Sequence, residues 1–283
     1  KVSGKKIYLF FAGTTIISLV AGLVISSTST SIISVKGTNY KFNLVDVMQK
    51  PAVYGDNCHS NYGETESGEC TYGNLNSATT IVLYGDSHAA QWFPTLLQLA
   101  NERGFKLVSL TKSACPSVDV PRADQGAYKN IHCEKWRDKS VARIKQIRPA
   151  AVILSSYQHF TPPSGYSDEN KWWTDGQKRL LSSLRGSSDH LIYISDTPRP
   201  LRDIPNCLAS RDVNSCNTTE ITPVKIIRGF KIIDPAPWLC TKLCPAIQDG
   251  YVVYRDASHI SVAAALALKP QLEAALVAKG LFS

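Results

Sequence analysis

Two short stretches, far apart in the sequence, carry the side chains of a serine acyl-transfer site. The first is Gly-Asp-Ser-His at positions 85–88, and the second, near the end of the chain, holds Asp256 and His259. Ser87 would be the nucleophile, His259 its general base and Asp256 the carboxylate that orients the imidazole. Because Asp256 and His259 are three positions apart, one loop can hold both, with Nδ1–H on the carboxylate and Nε2 facing Ser87.

The sequence around Ser87 predicts a strand-to-helix turn. An apolar, β-like run at 79–84 precedes it, and a helical pattern follows it. Such a turn exposes the hydroxyl and places it beside backbone N–H groups at a helix N-terminus, which stabilise an oxyanion.

Two other interpretations of these residues have to be weighed. Asp86 and Ser87 could be an N-cap pair, while Ser258 or Ser261 could cap the last helix and leave His259 as a surface residue. The nucleophile elbow of α/β-hydrolases is also similar, but there the acid and the histidine normally come from separate loops. The short Asp–His spacing argues against the elbow, and the joint occurrence of both motifs favours the catalytic interpretation.

Apolar runs that alternate with helical patterns must position these residues. Strands are predicted at 80–84, 106–110, 151–155, 191–195 and 231–234, and helices near 89–103, 134–147, 171–185 and 262–279. Pro94 and Pro270 should kink their helices or mark a restart. Continuous apolar strands separated by helices indicate an α/β fold with a parallel sheet of about five strands, covered on both faces. Ser87 follows the first strand and the Asp256/His259 pair follows the last, so both lie at the carboxyl edge, where such sheets bind ligands.

The catalytic motifs resemble the first and last signature blocks of SGNH (GDSL-like) hydrolases. The segments at 85–94, 115–116, 238–240 and 254–261 resemble those of the SGNH domain that is fused to the C-terminus of acyltransferase-3 membrane proteins. Those proteins O-acetylate bacterial surface glycans. The resemblance covers 76–283 and implies a three-layer, flavodoxin-like SGNH fold.

The resemblance also implies an oxyanion hole and a route for the acyl group. SGNH enzymes draw oxyanion donors from the serine N–H, a glycine and an asparagine; here Ser87, the Ser113 backbone N–H and the Gln158 side chain hold the corresponding places. Trp172 and Trp173 follow a Pro/Gly/Ser loop, where at least one should be exposed and able to stack on a sugar. No cofactor is expected on this domain, and the acyl group, expected to be acetyl from acetyl-CoA, would come through a membrane acyltransferase portion.

Composition and cysteine usage narrow the class of protein. The net charge of the 283 residues is +8, but lysines and arginines are scattered, so a nucleic-acid partner has little support. The eight cysteines lie as neighbours in the sequence, at 58/70, 115/133, 207/216 and 240/244, without the spacing of a zinc site. Eight cysteines allow 105 connectivities, of which neighbour pairing is the one we expect. We therefore expect no metal and four disulfides, formed in an oxidising compartment.

The first segment has the length and character of a membrane span. Residues 7–27 are almost wholly apolar, and Lys1, Lys5 and Lys6 precede them, which places that end in the cytoplasm. A signal peptide is the alternative, although no small-residue cleavage site stands out. We expect a span with its flank at 1–28, a linker and ordered extension at 29–75, and a catalytic domain at 76–283 in the periplasm. The family resemblance would make this the last span of a multi-span inner-membrane protein.

Three functions are compatible with these features. The first is an O-acyltransferase, expected to be an O-acetyltransferase, that modifies a sugar hydroxyl of a surface polysaccharide such as lipopolysaccharide O-antigen. The second is a membrane-anchored carbohydrate O-acetylesterase that uses the same triad with water as acceptor. The third, a non-catalytic glycan-binding module, is disfavoured by an intact triad.

Overall fold

The computed structural model describes residues 31–219 and 229–282, which form an α/β structure. The predicted membrane span at 7–27 lies outside the described residues. Within those residues, no helix is both long enough and apolar enough to cross a bilayer.

The strands and helices are numbered here in chain order. The strands are β1 Ile32–Ser34, β2 Lys41–Asn43, β3 His59–Ser60, β4 Thr71–Gly73, β5 Thr80–Gly85, β6 Lys106–Lys112, β7 Ala151–Ser155, β8 His190–Ile194, β9 Lys231–Ile233, β10 Ile247–Gln248 and β11 Tyr251–Val252. The helices are α1 Leu44–Val47, α2 Ser87–Ala90, α3 Phe93–Arg103, α4 Asn130–Ile147, α5 Glu169–Ser183, α6 Ile204–Ser210, α7 Ala236–Leu239, α8 Val262–Ala267 and α9 Lys269–Ala278. Short 3₁₀ helices occur at Ala52–Tyr54 and Val213–Cys216.

A central parallel sheet organises the structure. Its strands lie in the order β6-β5-β7-β8-β9, and these are the five strands that the apolar runs predict. At the outer edge, β6 also pairs with β3 in parallel and with β4 in antiparallel orientation. Two strands of the sheet, β3 and β4, therefore lie in the segment 29–75 that the sequence analysis assigns to the linker and ordered extension.

Helices cover both faces of the sheet, because successive side chains of a strand point to opposite faces. From β5, Ile81 and Leu83 pack with α3, α8 and α9, whereas Val82 and Tyr84 pack with α4 and α5. The expected three-layer architecture is confirmed. The loops that carry the candidate site lie at the carboxyl edge of the sheet.

Both prolines mark the restart of a helix rather than a bend within one. The predicted helix at 89–103 is divided into α2 and α3, with Pro94 in the first turn of α3. The predicted helix at 262–279 is divided into α8 and α9, with Pro270 in the first turn of α9. Proline is tolerated there because the first N–H groups of a helix have no intrahelical acceptor.

Four disulfides join the cysteines as neighbouring pairs. The bridges are Cys58–Cys70, Cys115–Cys133, Cys207–Cys216 and Cys240–Cys244. The predicted pairing is confirmed, and bridges of this kind indicate a domain that lies outside the cytoplasm.

Candidate active site

The turn between β5 and α2 presents Ser87 at the carboxyl edge of the sheet. Gly85 has φ = +151°, and a Cβ there would lie 2.0 Å from the carbonyl oxygen of Ser155 on β7, so only glycine fits. Asp86 caps α2, because its side chain accepts the backbone N–H of His88 at 2.8 Å. The chain therefore turns from strand to helix within two residues, and Ser87 occupies the first position of the helix.

The loop between β11 and α8 carries the other two side chains. One Asp256 carboxylate oxygen, Oδ1, accepts the backbone N–H of Ser258 at 2.7 Å and that of His259 at 2.8 Å. The turn closes with a hydrogen bond from the Arg255 N–H to the His259 carbonyl at 3.0 Å. The Ile260 N–H, which donates to the Gln91 side chain at 3.0 Å, joins this loop to the end of α2. These backbone contacts hold the loop against the Ser87 turn.

Ser87, His259 and Asp256 form one hydrogen-bonded series. The Ser87 Oγ and His259 Nε2 atoms are 2.8 Å apart. On the other side of the ring, His259 Nδ1 lies 2.9 Å from Asp256 Oδ2 and 3.1 Å from Oδ1. Because an ionised carboxylate only accepts, the proton of a neutral ring belongs on Nδ1, and the Nε2 lone pair then faces the serine hydroxyl. The arrangement has the geometry of a serine nucleophile with its general base.

The charges around this series favour a neutral histidine and an ionised aspartate. Burial, together with the neighbouring His88, lowers the pKa of His259 to about 4, although Asp256 opposes the shift. Burial acts to raise the pKa of Asp256, but hydrogen bonds from His259 outweigh it and hold that pKa below the ordinary value. Near neutral pH, His259 is therefore ready to accept a proton.

A second histidine–carboxylate pair adjoins the first. His88 Nδ1 lies 2.6 Å from Asp196 Oδ1, and His88 Nε2 lies 2.8 Å from the Ser258 hydroxyl. The rings of His88 and His259 have centroids 4.6 Å apart. Sequence reasoning missed this pair, since it gave Asp196 no role and treated His88 only as part of the Ser87 motif. The available signal was the position of Asp196 directly after a predicted strand, at the edge where the site was expected.

Two buried carboxylates connect the strand ends beneath the site. Asp86, after β5, accepts the Tyr157 N–H at 3.0 Å, and Asp196, after β8, accepts the Gln158 N–H at 3.0 Å. Burial raises the pKa of Asp86 to about 6, with Asp196 adding to the shift and the adjacent His88 opposing it. These bonds fix the loops after β5, β7 and β8 relative to one another.

The structure corrects the predicted oxyanion donor at Ser113. The Ser113 N–H donates to the Ser60 carbonyl at 2.9 Å, because β3 extends the sheet beside β6, and it is not available to a substrate. Gln158 is only 3% exposed, and its backbone N–H donates to Asp196; an oxyanion role for its side chain stays a prediction. The backbone N–H of Ser87 lies in the first turn of α2, where helical N–H groups have no intrahelical partner.

The two adjacent tryptophans are core residues, which corrects the expectation that one would be exposed to a sugar. Trp172 and Trp173 are 3% and 0% exposed. The segment at 118–121 covers α5: the Trp172 indole N–H donates to the Pro121 carbonyl at 3.1 Å, and a Cβ on Gly176 would collide with Val120. Adjacent positions on a helix can both be buried when a loop covers the face that the sheet leaves open.

The fold is that of an SGNH domain. A family model described as "SGNH domain (fused to AT3 domains)" matches residues 57–274. The chain belongs to this family of SGNH domains. Membership supports an acyl-transferring or ester-hydrolysing enzyme.

A solved structure shares the fold at low sequence identity. The periplasmic domain of a lipopolysaccharide acetyltransferase from Salmonella ser. Paratyphi A aligns with a TM-score of 0.59 and 16% identity, over 80% of this chain and 93% of that one. A protein assigned as an acylhydrolase from Bacteroides fragilis aligns with a TM-score of 0.42 and 9% identity, over 74% of this chain and 91% of that one. The comparison with curated proteins gave no match.

Proposed function

We propose that this chain is the extracytoplasmic catalytic domain of an O-acetyltransferase that modifies a sugar hydroxyl of a bacterial surface polysaccharide, such as lipopolysaccharide O-antigen. The observation that carries the proposal is the Ser87–His259–Asp256 series, in a family whose SGNH domain is fused to AT3 domains. The described similarity to the periplasmic domain of a lipopolysaccharide acetyltransferase supports this choice of acceptor.

In the first half of the reaction, Ser87 takes the acyl group. Its Oγ attacks the acyl carbonyl while His259 Nε2 accepts the hydroxyl proton over the observed 2.8 Å. Asp256 stabilises the imidazolium that forms, through its contact with Nδ1. The Ser87 N–H, in the first turn of α2, would stabilise the oxyanion of the tetrahedral intermediate. The leaving group departs with the proton from His259.

In the second half, a sugar hydroxyl replaces the leaving group. It gives its proton to His259 and attacks the acyl carbon on Ser87; the serine oxygen then departs with that proton. The second half uses the same groups as the first, because it is the reverse of the first with the sugar hydroxyl in place of the leaving group.

The location follows from the same proposal. The protein would lie in the bacterial inner membrane through the predicted span at 7–27, with the catalytic domain in the periplasm. The four disulfides support an oxidising compartment. Acetyl groups from cytoplasmic acetyl-CoA would reach Ser87 through a membrane acyltransferase portion, and growing envelope glycan would be within reach of the site.

The O-acetyl content of surface glycan tests the proposal. Cells that lack the gene would be complemented with the natural full-length protein or with its Ser87→Ala variant, and ester-linked acetate on purified polysaccharide would be measured. We expect acetylation with the wild type and none with the variant, at equal protein levels. If removal of the gene instead increases acetylation, the protein is an esterase and the proposed transfer is wrong.

A further inference from the structure

The part of the chain that the structure describes contains a second Ser–His–Asp series, beside the first and sharing no residue with it. Ser258 Oγ lies 2.8 Å from His88 Nε2, and His88 Nδ1 lies 2.6 Å from Asp196 Oδ1. The corresponding distances in the first series are 2.8 and 2.9 Å. The two therefore match in their order of atoms and in their spacing.

The hydrogen bonds of Asp196 fix the form of the His88 ring that is needed for a base. Asp196 is 2% exposed and also accepts the N–H groups of Thr197 at 2.9 Å and Gln158 at 3.0 Å. With its oxygens accepting these N–H groups, Asp196 also accepts from His88, which therefore donates from Nδ1. In the neutral ring, the Nε2 lone pair then faces the Ser258 hydroxyl, as His259 faces Ser87.

The Ser258 hydroxyl is not needed to hold its own turn. That turn is closed by backbone N–H groups: Ser258 and His259 donate to the Asp256 side chain, and Arg255 donates to the His259 carbonyl. A buried His–carboxylate pair carries a desolvation cost that apolar side chains of similar size would avoid. In this structure the second ring nitrogen of the pair, His88 Nε2, contacts the partly exposed hydroxyl of Ser258 beside the reaction centre.

We propose that Ser258 is a second nucleophilic serine, which His88 and Asp196 activate toward carboxylic esters. Ser258 Oγ forms a bond to the acyl carbon as its proton passes to His88 Nε2. The tetrahedral intermediate then breaks the ester C–O bond, and His88 returns the proton to the departing alcohol. The products are acyl-Ser258 and an alcohol, and no oxidant or other co-reactant is consumed.

The two series should respond differently to pH, because different charges face their histidines. The His88 ring is faced by Asp196, Asp86, Asp256, His259 and Tyr157. Burial acts to lower its pKa, but the carboxylates outweigh burial and raise it. The pKa of His259 is instead lowered to about 4, by burial and by the nearby His88. As the pH falls, His88 is protonated first, so Ser258 should lose its reactivity at a higher pH than Ser87.

A fluorophosphonate probe on the purified protein tests the proposal. The serine oxygen attacks phosphorus, fluoride leaves, and the adduct is assigned by peptide mass spectrometry. In the Ser87→Ala variant we expect an adduct on Ser258, formed about 10²-fold more slowly after the further change His88→Gln. The Ser87→Ala/Ser258→Ala variant is the matched control, and thermal unfolding confirms that each variant is folded. Wild-type protein, labelled across a pH series, needs no substitution and should lose Ser258 labelling at a higher pH than Ser87 labelling.

Two results would overturn the proposal. One is a folded Ser87→Ala variant that carries no adduct on Ser258, and the other is a Ser258 adduct whose rate is unaffected by His88→Gln and by pH. The proposal does not depend on glycan transfer. Failure of glycan acetylation in cells would leave the Ser258 adduct unaffected, and absence of the adduct would leave the Ser87 reaction unaffected.

Discussion

Replacing Asp256 by asparagine should leave the fold intact and remove most of the activity. The Oδ1 atom of Asp256 is anchored by the backbone N–H groups of Ser258 and His259, at 2.7 and 2.8 Å. An asparagine oxygen can keep both bonds, and this orients the new NH₂ group toward His259 Nδ1. Since two donors cannot face each other, the ring must place its proton on Nε2, where it can no longer accept the proton of Ser87.

The expected loss in kcat is about 10⁴-fold, or about 5.4 kcal/mol of transition-state stabilisation, by analogy with carboxylate-to-amide changes in other serine triads. An aryl acetate assay on purified protein measures this loss, with Ser258→Ala present in both the reference protein and the Asp256→Asn protein so that only the Ser87 series is compared, and thermal unfolding measures the stability. Asp256→Ala is the matched control: it removes the acceptor of the two backbone N–H groups as well, and should lower the stability by about 1 kcal/mol. An Asp256→Asn variant that retains more than about a tenth of the wild-type kcat would refute this account of the ring.

Three further predictions concern the base, the turn and a disulfide. As the pH is lowered, the kcat/KM for ester cleavage should fall with a midpoint near pH 4, because His259 must be neutral to accept a proton. The change His88→Gln should move that midpoint to higher pH, because it removes a nearby positive charge. Gly85→Ala should lower the free energy of unfolding by about 3 kcal/mol or more, since its Cβ would overlap the Ser155 carbonyl, whereas Gly186→Ala, with φ = +73° and open space, should cost only about 1–2 kcal/mol. Replacing both cysteines of Cys115–Cys133, which closes a loop of 18 residues, by serine should lower the stability by about 3 kcal/mol in denaturant unfolding.

Each of these predictions has a result that would contradict it. A wild-type midpoint above pH 7 would mean that a group other than a neutral His259 controls the rate. Equal stability losses at Gly85 and Gly186 would mean that the contact with β7 does not constrain the turn. A Cys115–Cys133 variant as stable as the wild type, measured without reductant, would show that the bridge does not limit the unfolded chain.

The sequence predicted those features that depend on local pattern. The five central strands are continuous apolar runs, and both proline positions mark helix restarts, because the restriction on proline is local. The Ser87 and Asp256/His259 motifs could be placed at one edge because parallel strands align their carboxyl ends. The series itself could be anticipated, since two of its residues share a loop.

Features that depend on distant contacts were missed. His88 and Asp196 are 108 residues apart, and no sequence spacing predicts that they form a pair. Ser113 was predicted as a donor from its position after a strand. Strand β3 has only two residues, which is too short a pattern to predict, and its Ser60 carbonyl accepts the Ser113 N–H. The burial of Trp172 and Trp173 depends on a loop that folds over α5, which helical periodicity alone does not reveal.

The most direct test of the central claim is the site at which an acyl group is held during turnover. Purified wild-type protein would be mixed with an aryl acetate, quenched with acid during the burst, digested and mapped by mass spectrometry. We predict an acetyl ester on Ser87 that accumulates with the burst and is absent after Asp256→Asn. Turnover of the ester with no acetyl on Ser87 at any time during the burst would contradict the account.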